Sequence, residues 1–169
     1  MSIDHDPTRI EITTDPTKKR MIGVAYHGNT PFDVPYISEI APNLWQGGCE
    51  DGLVLPENID KVLSLYPWEK YTINRDDVER VEIRMYDSLD QSFKQVFELA
   101  RMVNDWRADG HSVLVHCQAG LNRSSLVAAV ALLESGEAKR GLDAIKMIRE
   151  RRSPACLCNP AFEDYIISL

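Results

Sequence analysis

A chain of 169 residues with 44% hydrophobic and 27% charged side chains can bury one sizeable core, so a single domain that folds without a partner is its simplest organisation. Nineteen basic against 26 acidic side chains give a formal charge of −7, which argues against whole-surface affinity for nucleic acid or anionic lipid and leaves room for a local basic site. No apolar run approaches the roughly 20 residues that span a bilayer, and residues 1–20 build no signal-peptide core, so a cytoplasmic protein without membrane association is expected.

Residues 1–35 mix Thr, Pro and charges without a period of 2 or 3.6, and read as an arm that is partly disordered or wraps the surface. From residue 36 onward, short apolar runs alternate with helical ones, as in a compact α/β domain. Ile37 to Ile40 and Leu44-Trp45-Gln46 predict two strands around the turn Ala41-Pro42-Asn43, and Gly47-Gly48 releases the chain. Residues 61–65 predict a strand stopped by Pro67, and the strict alternation of residues 81–85 predicts a strand with one wet face. Phe93, Val96, Phe97, Ala100 and Val103 recur at helical spacing, with Ser88 or Asp90 as a capping residue and Asp109-Gly110 as the stop.

Val113-Leu114-Val115 suits a central strand buried on both faces, and residues 126–133 are apolar all round, as in a helix within the core that Gly136 closes. Residues 139–152 predict a helix around Leu142, Ile145 and Ile148, stopped before Pro154. Asn159-Pro160 opens a last helix whose Phe162, Tyr165, Ile166 and Leu169 share a face. The sum is an α/β domain with a central, mostly parallel sheet flanked by helices.

Between the buried strand and the buried helix runs His116-Cys117-Gln118-Ala119-Gly120-Leu121-Asn122-Arg123-Ser124. A sulfur at the carboxyl end of a strand, facing a helix N-terminus, meets unpaired N–H groups and the positive end of the helix dipole, which stabilises it as an anion. Five residues between Cys117 and Arg123 let successive N–H groups of Gln118, Ala119, Gly120, Leu121 and Asn122 converge on one phosphate, with Gly120 supplying geometry other residues resist. The planar Arg123 guanidinium can then grip two phosphoryl oxygens at once.

These residues resemble the signature of the cysteine-dependent protein phosphatases, His-Cys-x5-Arg-Ser/Thr. The chain looks more like the compact dual-specificity group than the larger classical tyrosine phosphatases, because residues 36–169 must hold the whole domain. Leu44-Trp45-Gln46-Gly47 and Asn159-Pro160-Ala161-Phe162 are similar to the family's early strand and closing helix entry. The resemblance implies the phosphatase fold, no metal, no cofactor and phosphorylated proteins as substrates. By the same resemblance Cys117 attacks phosphorus and forms a phosphocysteine, Arg123 binds the phosphoryl oxygens, Ser124 donates to the leaving thiolate, and His116 orders the loop. The family also needs an aspartic acid that protonates the leaving oxygen. Asp87, 30 residues before Cys117 and at the end of the strand, is the choice, with Asp90 as competitor.

Some residues depart from the pattern. Asn122 stands where the dual-specificity group usually has Ser, and an Asn there is similar to the RNA triphosphatase domains of capping enzymes. Uncharged Gln118 and Leu121 disfavour a polyphosphorylated lipid, and a shallow pocket for phosphotyrosine, with phosphoserine or phosphothreonine as further substrates, is expected. The alternatives are an RNA 5′-triphosphatase and a binding module that holds phospho-ligands without turnover. Cys117, Cys156, Cys158 and Cys49 are too few and too irregular for a disulfide scaffold and read as reduced thiols. Cys156-x-Cys158 reads as packing and Cys49 as packing or a resolving thiol. Arg149, Arg151 and Arg152 read as a solvated helix end, with a second anion site as the sharper option. His5, His27 and His111 form no ligand set, and Trp45, Trp68 and Trp106 read as packing.

Overall fold

A computed structural model describes residues 25–27, 30–32, 37–48, 55–66, 75–87 and 91–169, the first two stretches as backbone. Cys49, Trp68, Ser88, Asp90 and His5 therefore lie outside the described residues, as does most of the arm. Within the arm, β1 (Ala25–His27) and β2 (Thr30–Phe32) pair antiparallel.

The main sheet has five strands, β3 (Ile37–Ala41), β4 (Leu44–Gly47), β5 (Lys61–Ser64), β6 (Glu79–Glu82) and β7 (Val113–His116), in the order β3-β4-β7-β5-β6. The β3–β4 pair is antiparallel around Asn43, whose φ of 61° is the left-handed geometry that Asn tolerates in tight turns. Every other pair is parallel, so the sheet is mixed and mostly parallel, as expected. All four residues of β7 are buried, which is why its apolar triplet carries no alternation: both faces are covered. β6 lies at the edge and starts two residues before the predicted run. Ile83 and Met85 still donate backbone N–H bonds to Ser64 and Leu65 at 2.8 and 3.4 Å, so the chain follows β5 as far as Met85.

Four helices pack around the sheet, α1 (Val96–Ala108), α2 (Arg123–Ser135), α3 (Gly141–Arg151) and α4 (Pro160–Ile167). α2 is buried over its first ten residues because α1, α3 and α4 and the sheet all touch it, which explains its apolar composition on every face. Gly136 ends it at φ 81°. Gln95 occupies the α1 cap position. Two apolar expectations fail. Leu142, assigned to the inner face of α3, is 54% exposed, since Gly141 at the start of that helix packs directly on the Ile166 backbone and turns the next side chain outward. Leu169 falls beyond the last turn of α4 and is 43% exposed, while Phe162 and Ile166 reach the core. Trp45 and Trp106 pack, partly buried, against the two core clusters.

Candidate functional site

The loop from Cys117 to Asn122 leaves the end of β7 and enters α2. Its lower edge is set by parallel pairing: Gly47 and Ser64 flank His116 in register, Cys117 N–H donates to Gly47 O at 3.2 Å, and Leu65 N–H donates to His116 O at 2.8 Å. His116 is buried, with Nδ1 3.4 Å from Cys117 O, and burial holds its imidazole down at about 4, so the ring is neutral at physiological pH. Cys117 is only 2% exposed, so an anion must enter the loop to reach its sulfur.

Two glycines make the loop sterically possible. Gly120 has φ 73°, and a Cβ there would lie 2.5 Å from Gly48 N and from the Arg152 Nη2. A Cβ on Gly48 would lie 2.8 Å from Gln118 O, so Gly47-Gly48 is less a release of the chain than a seat for the loop.

The carbonyls on the back of the loop are gathered by two side chains that sequence reading did not assign to the site. Arg152, fully buried, donates from Nε to Gly120 O at 2.6 Å and from Nη2 to Ala119 O at 3.2 Å, and its Nη1 reaches Ser38 Oγ at 3.1 Å. Gln46 Nε2 donates to Gly120 O at 3.1 Å and to the hydroxyls of Ser124 at 3.1 Å and Ser125 at 2.6 Å. In a trans peptide the C=O and the following N–H point opposite ways, so tying these carbonyls backward turns the N–H groups of Gly120 and Leu121 forward. The reading of Arg149, Arg151 and Arg152 as a solvated helix end is corrected on this point. Arg152 is interior, and Arg149 binds Cys156 O at 2.9 Å and pairs with Glu163; only Arg151 faces solvent. An arginine at the end of a helix, ahead of Ser-Pro, gives no signal by period, because its partners are a hydroxyl of β3 and carbonyls of β4 and the loop.

At the front, Ser124 Oγ lies 3.4 Å from Cys117 Sγ. Arg123, buried, donates from Nη1 to Met85 O at 3.2 Å, with its guanidinium 4.9 Å from the centre of the Tyr66 ring. Asp87, two residues after Met85, is 1% exposed. Its Oδ2 accepts from Asn122 Nδ2 at 2.9 Å and its Oδ1 from Asn159 Nδ2 at 2.8 Å. Asn159 meanwhile caps α4, accepting from Ala161 and Phe162 N–H, and its own N–H donates to Asn122 Oδ1 at 2.9 Å. Thus the structure brings together His116, Cys117, the loop residues Gln118, Ala119, Gly120, Leu121 and Asn122, Arg123, Ser124 and Asp87. Cys158 lies at the same edge, its Sγ accepting from Asn122 Nδ2 at 3.3 Å, and burial pushes its thiol up to about 12. Among the described residues no group of three His, Cys, Asp or Glu is placed to hold a metal.

A cradle of backbone N–H groups, one buried arginine at its rim and a sulfur at its base fit a phosphoryl group. Residues 55–169 match the family described as "Dual specificity phosphatase, catalytic domain". The chain belongs to this family. Among curated relatives, the protein tyrosine phosphatase PRL-1 of Leishmania major is 45% identical over 58 residues, 34% of this chain and 33% of that protein. The human protein tyrosine phosphatase type IVA 3 is 41% identical over 64 residues, 32% of this chain and 36% of that protein. The matched stretch therefore spans about a third of the length of both relatives. Among solved structures, human DUSP28 superposes with a TM-score of 0.66 at 16% identity, covering 79% of this chain and 94% of that one, a likeness of fold.

Proposed function

We propose that the protein is a cysteine-dependent phosphatase that hydrolyses phosphomonoesters of proteins, phosphotyrosine foremost, with phosphoserine and phosphothreonine as further substrates. The single observation that carries the reading is Cys117 buried at the start of the loop between β7 and α2, with Ser124 Oγ 3.4 Å from its sulfur and the buried Arg123 opening the helix. Cys117 attacks phosphorus while the ester P–O bond breaks, and Asp87 supplies a proton to the departing oxygen. Water then attacks the phosphocysteine, Asp87 takes its proton, the S–P bond breaks, and Ser124 donates a hydrogen bond to the released thiolate. Arg123 and the N–H groups of residues 118–122 hold the phosphoryl oxygens throughout. His116, neutral and buried, orders the start of the loop.

The loop needs no metal or cofactor for these steps. The charge of −7 favours a single phosphate on a protein over an extended RNA or an anionic membrane, and no helix among the described residues is long and apolar enough to cross a membrane. Unpaired thiols at Cys117, Cys156 and Cys158 support a reducing, cytoplasmic setting. We retain residues 1–35 as an arm and 36–169 as the catalytic domain.

The test is hydrolysis of p-nitrophenyl phosphate and of phosphotyrosine, phosphoserine and phosphothreonine peptides by wild type and Cys117→Ser. Turnover by wild type that disappears in Cys117→Ser is expected. Turnover that survives the substitution overturns the mechanism, binding of phosphopeptide without turnover makes the protein a binding module, and faster γ-phosphate release from triphosphate-ended RNA overturns the substrate.

A further inference from the structure

Asn122 sits at the N-cap of α2, where an Asn ordinarily turns its side chain onto the first free N–H groups of its own helix. Here it makes no such bond. Its carboxamide is spent sideways: Nδ2 donates to Asp87 Oδ2 at 2.9 Å, and Oδ1 accepts the Asn159 N–H at 2.9 Å. Asn159 completes the clamp by donating to the other Asp87 oxygen at 2.8 Å. Three separate segments, the end of the β6 strand path, the phosphate loop and the entry to α4, therefore meet on one carboxyl group. Two consequences follow for the loop. The first N–H groups of α2 are not consumed by a side-chain cap, which leaves them available to an anion in the loop. The carboxyl group of Asp87 is held on both oxygens, one of them by a residue of the loop that begins at Cys117.

We infer that Asn122 is a positioning residue for Asp87, aiming its carboxyl group at the leaving oxygen, and that its effect on turnover therefore grows as the leaving group needs more help from a proton. The inference rests on the phosphatase reading above and extends it to substrate selection. Alkyl esters such as phosphoserine and phosphothreonine leave as strong bases, whereas acidic phenols leave almost unaided. A serine at position 122 cannot span to both Asp87 and Asn159; the asparagine is what lets this loop hold the acid.

The experiment measures kcat and kcat/KM for a series of aryl phosphates of increasing phenol pKa plus a phosphoserine peptide, with inorganic phosphate inhibition as a reading of loop integrity. In Asn122→Ala, the loss relative to wild type should grow with the pKa of the phenol, becoming about 10 to 100-fold larger for the least acidic phenol than for the most acidic one. Inorganic phosphate inhibition reports whether the loop still binds an anion, and Asn122→Ala added to Asp87→Asn should cost nothing further. Asn122→Gln, which keeps a carboxamide donor, should recover part of the loss. A loss that is uniform across leaving groups, or one that multiplies with that of Asp87→Asn, overturns the inference. If Asn122→Ala no longer binds phosphate, Asn122→Gln and Asn122→Ser are read in its place, and equal slopes in both overturn it. Failure of the phosphatase reading itself has a different signature: wild type then hydrolyses none of the series, or does so without Cys117.

Discussion

Arg152 Nε donates to the Gly120 carbonyl at 2.6 Å from beneath the loop, on the side opposite the anion cradle. With Nη2 on Ala119 O and Gln46 on Gly120 O, it fixes two successive peptide planes. Burial lowers its affinity for a proton, and the nearby sulfurs of Cys156 and Cys117 oppose that shift. Replacing Arg152 by Met keeps the volume and removes every donor. Each buried carbonyl left without a partner costs about 1–3 kcal/mol, so the urea midpoint should drop clearly and inorganic phosphate should bind about tenfold or more weakly. Arg152→Lys keeps the charge without the fork and should fall between. A Met variant as stable as wild type with unchanged phosphate inhibition would show that the loop orients itself.

His116 makes stability depend on acid. Burial holds its imidazole at about 4 against an ordinary 6.5, with the Arg80 and Arg123 charges pushing the same way and its bond to Cys117 O resisting. The unfolded chain takes up a proton at this side chain as pH falls through 6.5, while the folded chain does not until about 4. Stability is therefore complete above pH 6.5 and declines between 6.5 and 4, by on the order of 3 kcal/mol from this group. His116→Asn should flatten that part of the curve of unfolding free energy against pH, measured by urea titration at several pH values. Equal slopes in the two proteins would contradict the assignment.

The fold and the loop between β7 and α2 are legible because their signals are local. A strand covered on both faces carries an unbroken apolar triplet, Val113-Leu114-Val115, α2 carries its burial in its composition, and the Cys117 to Arg123 spacing is a property of one continuous loop. The family resemblance points to Asp87 because strand and helix patterns bracket it, and its carboxyl group lies against Asn122 of the loop. What supports the loop was not legible. Arg152 and Gln46 act through carbonyls and hydroxyls far away in sequence, and Asn159 reads as a helix cap because it is one, its second duty on Asp87 having no sequence mark. Leu142 was misassigned for a similar reason: helical period places it beside Ile145, but the close approach of Gly141 to α4 rotates the inner face.

Gly120 tests how tightly the loop is seated. Its φ of 73° costs an L-residue about 1–2 kcal/mol by itself. An added Cβ would also overlap Gly48 N and Arg152 Nη2, each at 2.5 Å, and the former is backbone that cannot swing aside. Gly120→Ala should therefore abolish phosphate binding and lower the melting temperature, whereas Gly110→Ala, with φ 90° but open space around it, should lower the melting temperature alone. Equal phosphate inhibition of the two variants would mean that the seat on β4 does not govern the cradle.

The thiols should separate by reactivity. Burial raises Cys156, and it pushes Cys158 up to about 12, where the Asn122 hydrogen bond only partly offsets burial and the negative charge of Asp87 adds to it. At pH 7 a thiol at about 12 is thiolate in roughly one molecule in 100,000, too little for alkylation on a practical timescale. Brief iodoacetamide treatment at pH 7, followed by peptide mass spectrometry, should leave Cys156 and Cys158 unmodified and label Cys117, with inorganic phosphate protecting it. Cys49 is read from its own peptide. Labelling of Cys158 at the rate of Cys117 would mean that the Asp87, Asn122 and Asn159 cluster opens in solution, since that cluster and Cys158 share the same Asn122 amide.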